Sequence, residues 1–358
     1  MTFQQRRLVA IAAAGLLVGA LVAIPLTGGS GGDRLSSASS ASSAASVSSV
    51  AGVTTILDAG GSAATTLPGD GSTSAETSTS VVQASSTSAG STTTIAAAPT
   101  TISLAAPPDS TVVVGPANPV PSVDAAAYVV FDASGNRVLA SLNGDQPRSV
   151  GSLMKLLTAY VVMQAGDPER LVTVPQLTID QYESQIGLVQ GEQLSRAVLL
   201  RAMLIVSAND AAQTLAGDVG GGQDQFVAKM NAAAAQLGLD GTVAANAVGL
   251  DAAGQQSTAN DMLLLSRVLM RDTTFQATVA RPSAKLHGQV KEATNDLLRQ
   301  YAGATGIKTG HTTQAGFCLA GSAQRNGRTV IVVVLGSSTD AARLSATTTL
   351  LDWAFAQP

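Results

Sequence analysis

The chain has 358 residues, enough for one large domain or two, and 45% of them are apolar against 12% charged. A net charge of −4, no basic run and only 3% aromatic residues argue against a nucleic-acid-binding surface. The single cysteine, Cys318, excludes an internal disulfide and a cysteine-based zinc site, and two histidines, His287 and His311, leave little room for a histidine-based metal centre.

Arg6 and Arg7 precede an apolar run over residues 8–26. The run is nearly long enough to span a bilayer, and the arginines before it place residues 1–7 in the cytoplasm and the rest outside. We read it as an uncleaved anchor, with a cleaved signal peptide as the alternative, because "LVAIPLTGG" has no clear small-x-small site. Residues 27–120 are Ser, Thr, Ala and Gly with scattered Pro. Such a composition buries too little apolar surface to offset its ordering entropy, so it is expected to be a disordered stalk spanning about 50 Å. Within it, Gly28-Gly29-Ser30-Gly31-Gly32 matches a nucleophile pattern, but no strand leads in and no helix leads out.

The folded unit is expected over residues 121–358. "AAYVVFDASGNRVLASLN" reads as two strands around the turn Ala133-Ser134-Gly135-Asn136. Helical spacing follows in "SLMKLLTAYVVMQAG", "LSRAVLLRAMLIV", "DAAQTLAGDVGG", "QFVAKMNAAAAQLGL" and "TANDMLLLSRVLM", the last capped by Thr258. Strands return in "TGIKTGHT", "GFCLAGSAQ" and "RTVIVVVLGS", with an Asn326-Gly327 hairpin signal, and "DAARLSATTTLLDWAF" closes the chain as a helix. Strands at both ends predict an α/β chain of the α+β type. One antiparallel sheet would come from about residues 126–142 and 305–358. A helical subdomain from about 150–300 would lie beside it, with a cleft between the two.

Three short motifs could place chemistry in that cleft. The chain has only five lysines, and one of them, Lys155, sits in an apolar helix one turn after Ser152. Burial favours a neutral amine, which can take the proton of a neighbouring hydroxyl and make it a nucleophile. Taken alone, Ser-x-x-Lys is more often a capped helix start with a lysine reaching solvent. "VSAND" adds Ser207 and Asn209 at a helix–helix junction. "GIKTGHT" adds Lys308 and Thr309 on a glycine-flanked strand that a substrate backbone can approach. Ser134-Gly135-Asn136 has the Ser-x-Asn form too, but lies in a hairpin turn before Ser152.

Ser-x-x-Lys, Ser-x-Asn and Lys-Thr-Gly in this order form the set found in penicillin-binding proteins and β-lactamases. With "GLVQGEQLS" and "KTGHTTQAGFCL", the unit resembles the D-alanyl-D-alanine carboxypeptidases, the low-molecular-weight penicillin-binding proteins, from about Ala126 to Phe355. The resemblance implies the β-lactamase/DD-peptidase-like fold. It also implies Ser152 as nucleophile, Lys155 as base and Ser207 as proton relay, with Asn209 on the substrate amide. Lys308, Thr309 and Gly310 would bind the chain end. The backbone N–H groups of Ser152 and His311 would form the oxyanion hole. Repulsion from Lys308 would depress the Lys155 pKa further. The implied substrate is a peptidoglycan stem ending in D-Ala-D-Ala, with β-lactams as covalent inhibitors, no cofactor and no metal.

Two departures stand out. Val150-Gly151 replaces the family's usual Pro-Ala before the nucleophile and is expected to loosen the helix start. The chain ends soon after the catalytic unit, so the N-terminal segment is expected to tether it to the membrane. A class A β-lactamase would add a deacylating glutamate with an asparagine four residues on. Between Asn209 and Lys308 the only glutamate is Glu292, and the nearest asparagine, Asn295, has the wrong spacing. Other readings with the same motifs are an endopeptidase acting on cross-links and a non-catalytic wall-binding relative.

Overall fold

The computed structural model describes residues 118–358. The expected anchor, stalk and Gly28–Gly32 pattern lie outside the described residues. Among those described, no helix is long and apolar enough to cross a membrane.

The central sheet joins the two ends of the unit. Strands β1 (Ala127–Asp132) and β2 (Arg137–Leu142) form the expected hairpin. Strands β7 (Ala304–Thr312), β8 (Gly316–Arg325) and β9 (Arg328–Ser337) return much later, giving the antiparallel order β2-β1-β9-β8-β7. The sheet is covered on both faces, which explains the nearly continuous apolar run in β9. Period-two alternation sorts its residues: Ile331, Val333 and Leu335 join one core, Val330, Val332 and Val334 the other. The second core is closed by the C-terminal helix Asp340–Phe355 through Ala346, Leu350, Leu351 and Ala354. Thr339 caps that helix by accepting from Ala342 N.

The first core belongs to the helical part. Helix α1 (Lys155–Gln164) runs through its centre with Leu156, Leu157, Ala159 and Val162 fully buried. Around it lie α2 (Arg196–Ile205), α3 (Asn209–Gly220), α4 (Gln223–Leu237) and α5 (Ala259–Leu269). Thr258 caps α5, as its sequence implies, by accepting from Asp261 N. Beyond the helices read from the sequence, the structure adds α6 (Thr273–Val279) and α7 (Leu297–Gln300).

The middle of the chain is not purely helical. Strand β3 (Leu171–Thr173) pairs with β4 (Gln193–Ser195), and β5 (Ser283–Leu286) with β6 (Gln289–Glu292). These segments are too short for periodicity to register. The β5–β6 turn uses positive φ at both His287 and Gly288, a hairpin geometry that His-Gly supplies without the usual Asn-Gly signature.

Helix α1 also begins differently from the sequence expectation. Ser152 lies in a 3₁₀ turn, Gly151–Met154, and the α-helix starts at Lys155. Gly151 has φ +55, and a Cβ there would stand 2.8 Å from His311 N. The glycine therefore does not loosen the helix start. It permits a left-handed kink that seats the turn directly against β7.

Candidate active site

Four of the expected side chains meet as two pairs between the sheet edge and the helices. Lys155 Nζ lies 2.9 Å from Ser152 Oγ and donates to Val248 O at 2.5 Å. Lys308 Nζ donates to Ser207 Oγ at 2.9 Å and to Thr309 O at 2.7 Å. Both lysines are almost wholly buried, at 0% and 1% exposure, whereas Ser152 is partly open.

Burial lowers the Lys155 pKa from 10.5 to about 7, with the nearby Glu183 carboxylate pulling the other way. Lys308 is held well below its ordinary value by burial first, then by the positive charges of Lys155 and Arg343. Repulsion between the two lysines, expected to act on Lys155, is thus felt at Lys308, while desolvation governs Lys155. With one N–H engaged by Val248 O, a neutral Lys155 amine has its lone pair free to face the serine hydroxyl.

Local structure fixes each group. Asn246 Oδ1 accepts from the backbone N–H groups of Val248, Gly249 and Leu250, which turns the Val248 carbonyl toward Lys155. Thr158, one turn along α1, donates to the neighbouring Ala247 O at 2.7 Å. Ser207 holds φ +61, a strained conformation for a serine, and costs on the order of 1–3 kcal/mol. It sits in the junction immediately before α3, of which Asn209 is the first residue.

On the sheet side, Thr309 Oγ1 lies 2.7 Å from Thr294 Oγ1. Gly310 has no space for a side chain: a Cβ would fall 2.4 Å from Val150 O and 3.2 Å from Ser152 N. That close approach brings the backbone of β7 against the nucleophile turn, with His311 N on the same side next to Gly151. The His311 ring stacks on Phe317, with centroids 4.0 Å apart.

Several supporting residues carry no motif of their own. The buried Arg343 donates to Gly310 O and Cys318 O and pairs with Asp340 at 2.6 Å, bracing β7 and β8 from behind. Asp251 accepts from Ser149 Oγ, Thr312 Oγ1 and Gln314 N, joining the segment before Ser152 to the end of β7. Asn246 and Asp251 lie in "NAVGLDAAGQQSTANDM", a stretch that carries none of the three motifs. A cavity of about 450 Å³ beside these braces is lined by Arg148, Ser149, Gln314 and residues 251–256, and contains none of the motif residues. The hydrogen-bonded pairs, rather than that cavity, mark the candidate site.

An antiparallel sheet edge beside a helical subdomain, with Ser152 paired to Lys155 and Ser207 to Lys308, is an α+β arrangement suited to serine acyl transfer. Its likeness to known proteins is specific. The family model for D-alanyl-D-alanine carboxypeptidase matches residues 114–339. The carboxypeptidase DacC of Escherichia coli (strain K12) is 34% identical over 248 residues, covering 66% of this chain and 62% of that protein. The crystal structure of penicillin binding protein 6B from Escherichia coli superposes with a TM-score of 0.64 at 32% identity, covering 68% of this chain and 81% of that one. Penicillin-Binding Protein D2 from Listeria monocytogenes, in its ampicillin-bound form, gives 0.60 at 32% identity, covering 66% of this chain and 100% of that one.

The chain belongs to the D-alanyl-D-alanine carboxypeptidase family. It spans 62–63% of the length of the first curated relatives it matches.

Proposed function

We propose that residues 121–358 form a serine-type D-alanyl-D-alanine carboxypeptidase that removes the terminal D-alanine of peptidoglycan stem peptides. The observation that carries this reading is the 2.9 Å contact between Lys155 Nζ and Ser152 Oγ, with the amine buried and its pKa near 7. A base poised near neutrality beside a hydroxyl is what nucleophile activation requires.

In this reading Lys155 takes the Ser152 proton as Oγ bonds to the carbonyl carbon of the penultimate D-alanine. The carbonyl electrons move onto oxygen, where the N–H groups of Ser152 and His311 stabilise them. Collapse breaks the C–N bond. Ser207, hydrogen-bonded to Lys308, passes its proton to the departing D-alanine nitrogen and regains one from the Lys155 ammonium, which leaves Lys155 neutral again. Water then attacks the acyl-enzyme and loses a proton to Lys155, which returns it to Ser152 Oγ as the ester C–O bond breaks. Asn209 holds the substrate amide, and Lys308 with Thr309 and Gly310 receives the terminal carboxylate. That carboxylate offsets the burial that otherwise disfavours the charged form of Lys308. Side chains supply the nucleophile and base and backbone N–H groups stabilise the oxyanion, so the scheme calls for no cofactor or metal.

The ampicillin-bound relative supports β-lactams as covalent inhibitors acylating Ser152. A peptidoglycan substrate supports an extracytoplasmic location for the unit, with residues 8–26 proposed as its membrane tether. The test is release of D-alanine from a stem pentapeptide, together with fluorescent-penicillin labelling that Ser152→Ala abolishes. Cleavage of a cross-linked dimer without D-alanine release from the pentapeptide would replace this reading with an endopeptidase. Rapid turnover of penicillin would replace it with a β-lactamase, and no labelling at all would point to a non-catalytic binder.

A further inference from the structure

Glu183 brings a carboxylate to the candidate site that no motif announces. It accepts a hydrogen bond from Asn209 Nδ2. Its loop is pinned to the start of α3. Asn209 N donates to Ser184 O at 2.7 Å, and the Asp210 carboxylate accepts from the N–H groups of Ile186, Gly187 and Leu188. Asp180 Oδ1 accepts from Tyr182 N within the same loop. The Glu183 side chain is therefore delivered by a braced segment.

Asn209 is 4% exposed, and its Oδ1 has no hydrogen-bond partner among the described residues. A primary amide has two ends of similar shape and opposite chemistry, the nitrogen donating and the oxygen accepting. An ionised carboxylate only accepts, so Glu183 holds the nitrogen on its own side even though the oxygen is left unpaired. Resting on the reading of the cleft as a DD-peptidase site, we propose that Glu183 is a positioning residue for acyl transfer: its carboxylate locks the Asn209 amide in one of its two orientations and presents a negative charge to Lys155.

The two parts of this role respond differently to substitution. The charges coupled to Lys155 are Glu183 from the loop, which acts on that amine, and Lys308 from β7, which itself feels Lys155 and Arg343. Asp180 and Asp210 flank Glu183 but spend oxygens on backbone N–H groups. Removing the Glu183 charge takes away the attraction that favours the Lys155 ammonium, so the amine becomes neutral at lower pH. Glu183→Gln keeps an acceptor oxygen for Asn209 and removes the charge. Glu183→Ala removes both.

The experiment measures the limiting acylation rate and the half-saturating concentration of a fluorescent penicillin against pH, using the full chain. Circular dichroism melts check that each variant folds. In Glu183→Gln the midpoint of the rate profile should fall by about one pH unit, with the high-pH plateau within about twofold of the parent. In Glu183→Ala the midpoint should fall equally and the plateau should also drop, by about tenfold. An unmoved midpoint in both variants overturns the electrostatic role. A parental plateau and half-saturation in Glu183→Ala overturn the positioning role. Either result leaves the cleft reading standing as long as Ser152→Ala abolishes labelling. A parent chain that takes no label overturns both together.

Discussion

Acylation of Ser152 should follow the ionisation of Lys155, because only the neutral amine can accept the serine proton. A pKa of about 7 in place of the ordinary 10.5 sets the expected profile. The neutral fraction is about 9% at pH 6, about half at pH 7 and about 90% at pH 8. The limiting acylation rate should therefore rise about fivefold from pH 6 to pH 7, less than twofold from pH 7 to pH 8, and then level off. A lysine with an ordinary pKa would instead give about a tenfold rise per unit over that whole range. Stopped-flow quenching of protein fluorescence by a penicillin, extrapolated to saturation, measures this rate. Saturation matters because it separates acylation from binding of the penicillin carboxylate, the role proposed for Lys308. A flat profile from pH 5 to pH 9 would refute Lys155 as the base. A log-linear rise through pH 9 would refute its burial.

Three further outcomes follow from the supporting residues. Asn246→Ala strips three backbone N–H groups of their acceptor and frees the Val248 carbonyl; the limiting acylation rate should fall at least about tenfold, and urea unfolding should register a loss of about 1–3 kcal/mol. Gly310→Ala puts a Cβ 2.4 Å from Val150 O, so penicillin labelling should be lost while far-UV circular dichroism stays unchanged, since β7 has ordinary strand geometry there. Asp218, 5% exposed, pairs with the buried Arg196 at 2.6 Å; burial pushes its pKa up, but hydrogen bonds and charges from Arg170 and Arg196 outweigh that and hold it below the usual carboxylate range. Its contribution is complete above the unfolded-state pKa and is lost as pH falls through the lower folded value. Asp218→Ala should thus cost about 3 kcal/mol at pH 7, with the gap to the parent narrowing in acid.

The sheet was legible because each strand carries its own pattern. "RTVIVVVLGS" matches β9 from end to end, and "DAARLSATTTLLDWAF" matches the last helix likewise. The motif serines were legible because each stands at a fixed spacing from a rare lysine or from an asparagine, in an apolar setting. What escaped are groups whose meaning depends on distant partners. Glu183 precedes Asn209 by 26 residues, outside the interval where a deacylating glutamate was sought, and only the folded loop turns it toward the site. Asn246 works through backbone N–H groups, so its spacing carries no signature. Gly151 was legible as a departure from Pro-Ala, but its need for positive φ arises from the approach of His311, which no local pattern encodes. The β5–β6 hairpin escaped because four-residue strands fall below the length at which alternation is informative.

Lowering the Lys155 pKa to about 7 has a thermodynamic consequence that can be measured without substrate. The unfolded chain holds its lysine proton up to about pH 10.5, whereas the fold releases it near 7. Between those values the unfolded state binds more protons, so stability rises with pH across that window, and below about pH 7 the full penalty applies. A gap of about 3.5 units corresponds to on the order of 5 kcal/mol. Lys155→Met places an apolar chain of similar length in the same pocket and removes the penalty. It also leaves the Val248 carbonyl without its donor, which costs about 1–3 kcal/mol. The methionine variant should therefore be inert toward penicillin yet more stable than the parent by about 2–4 kcal/mol at pH 6. The advantage should shrink by about 1.4 kcal/mol per pH unit above 7 and reverse near about pH 9. Urea unfolding at pH 6, 8 and 10 resolves this crossover. Parallel pH dependence in the two proteins would mean that the amine is not desolvated in the fold, and the base poised beside Ser152 would lose its physical cause.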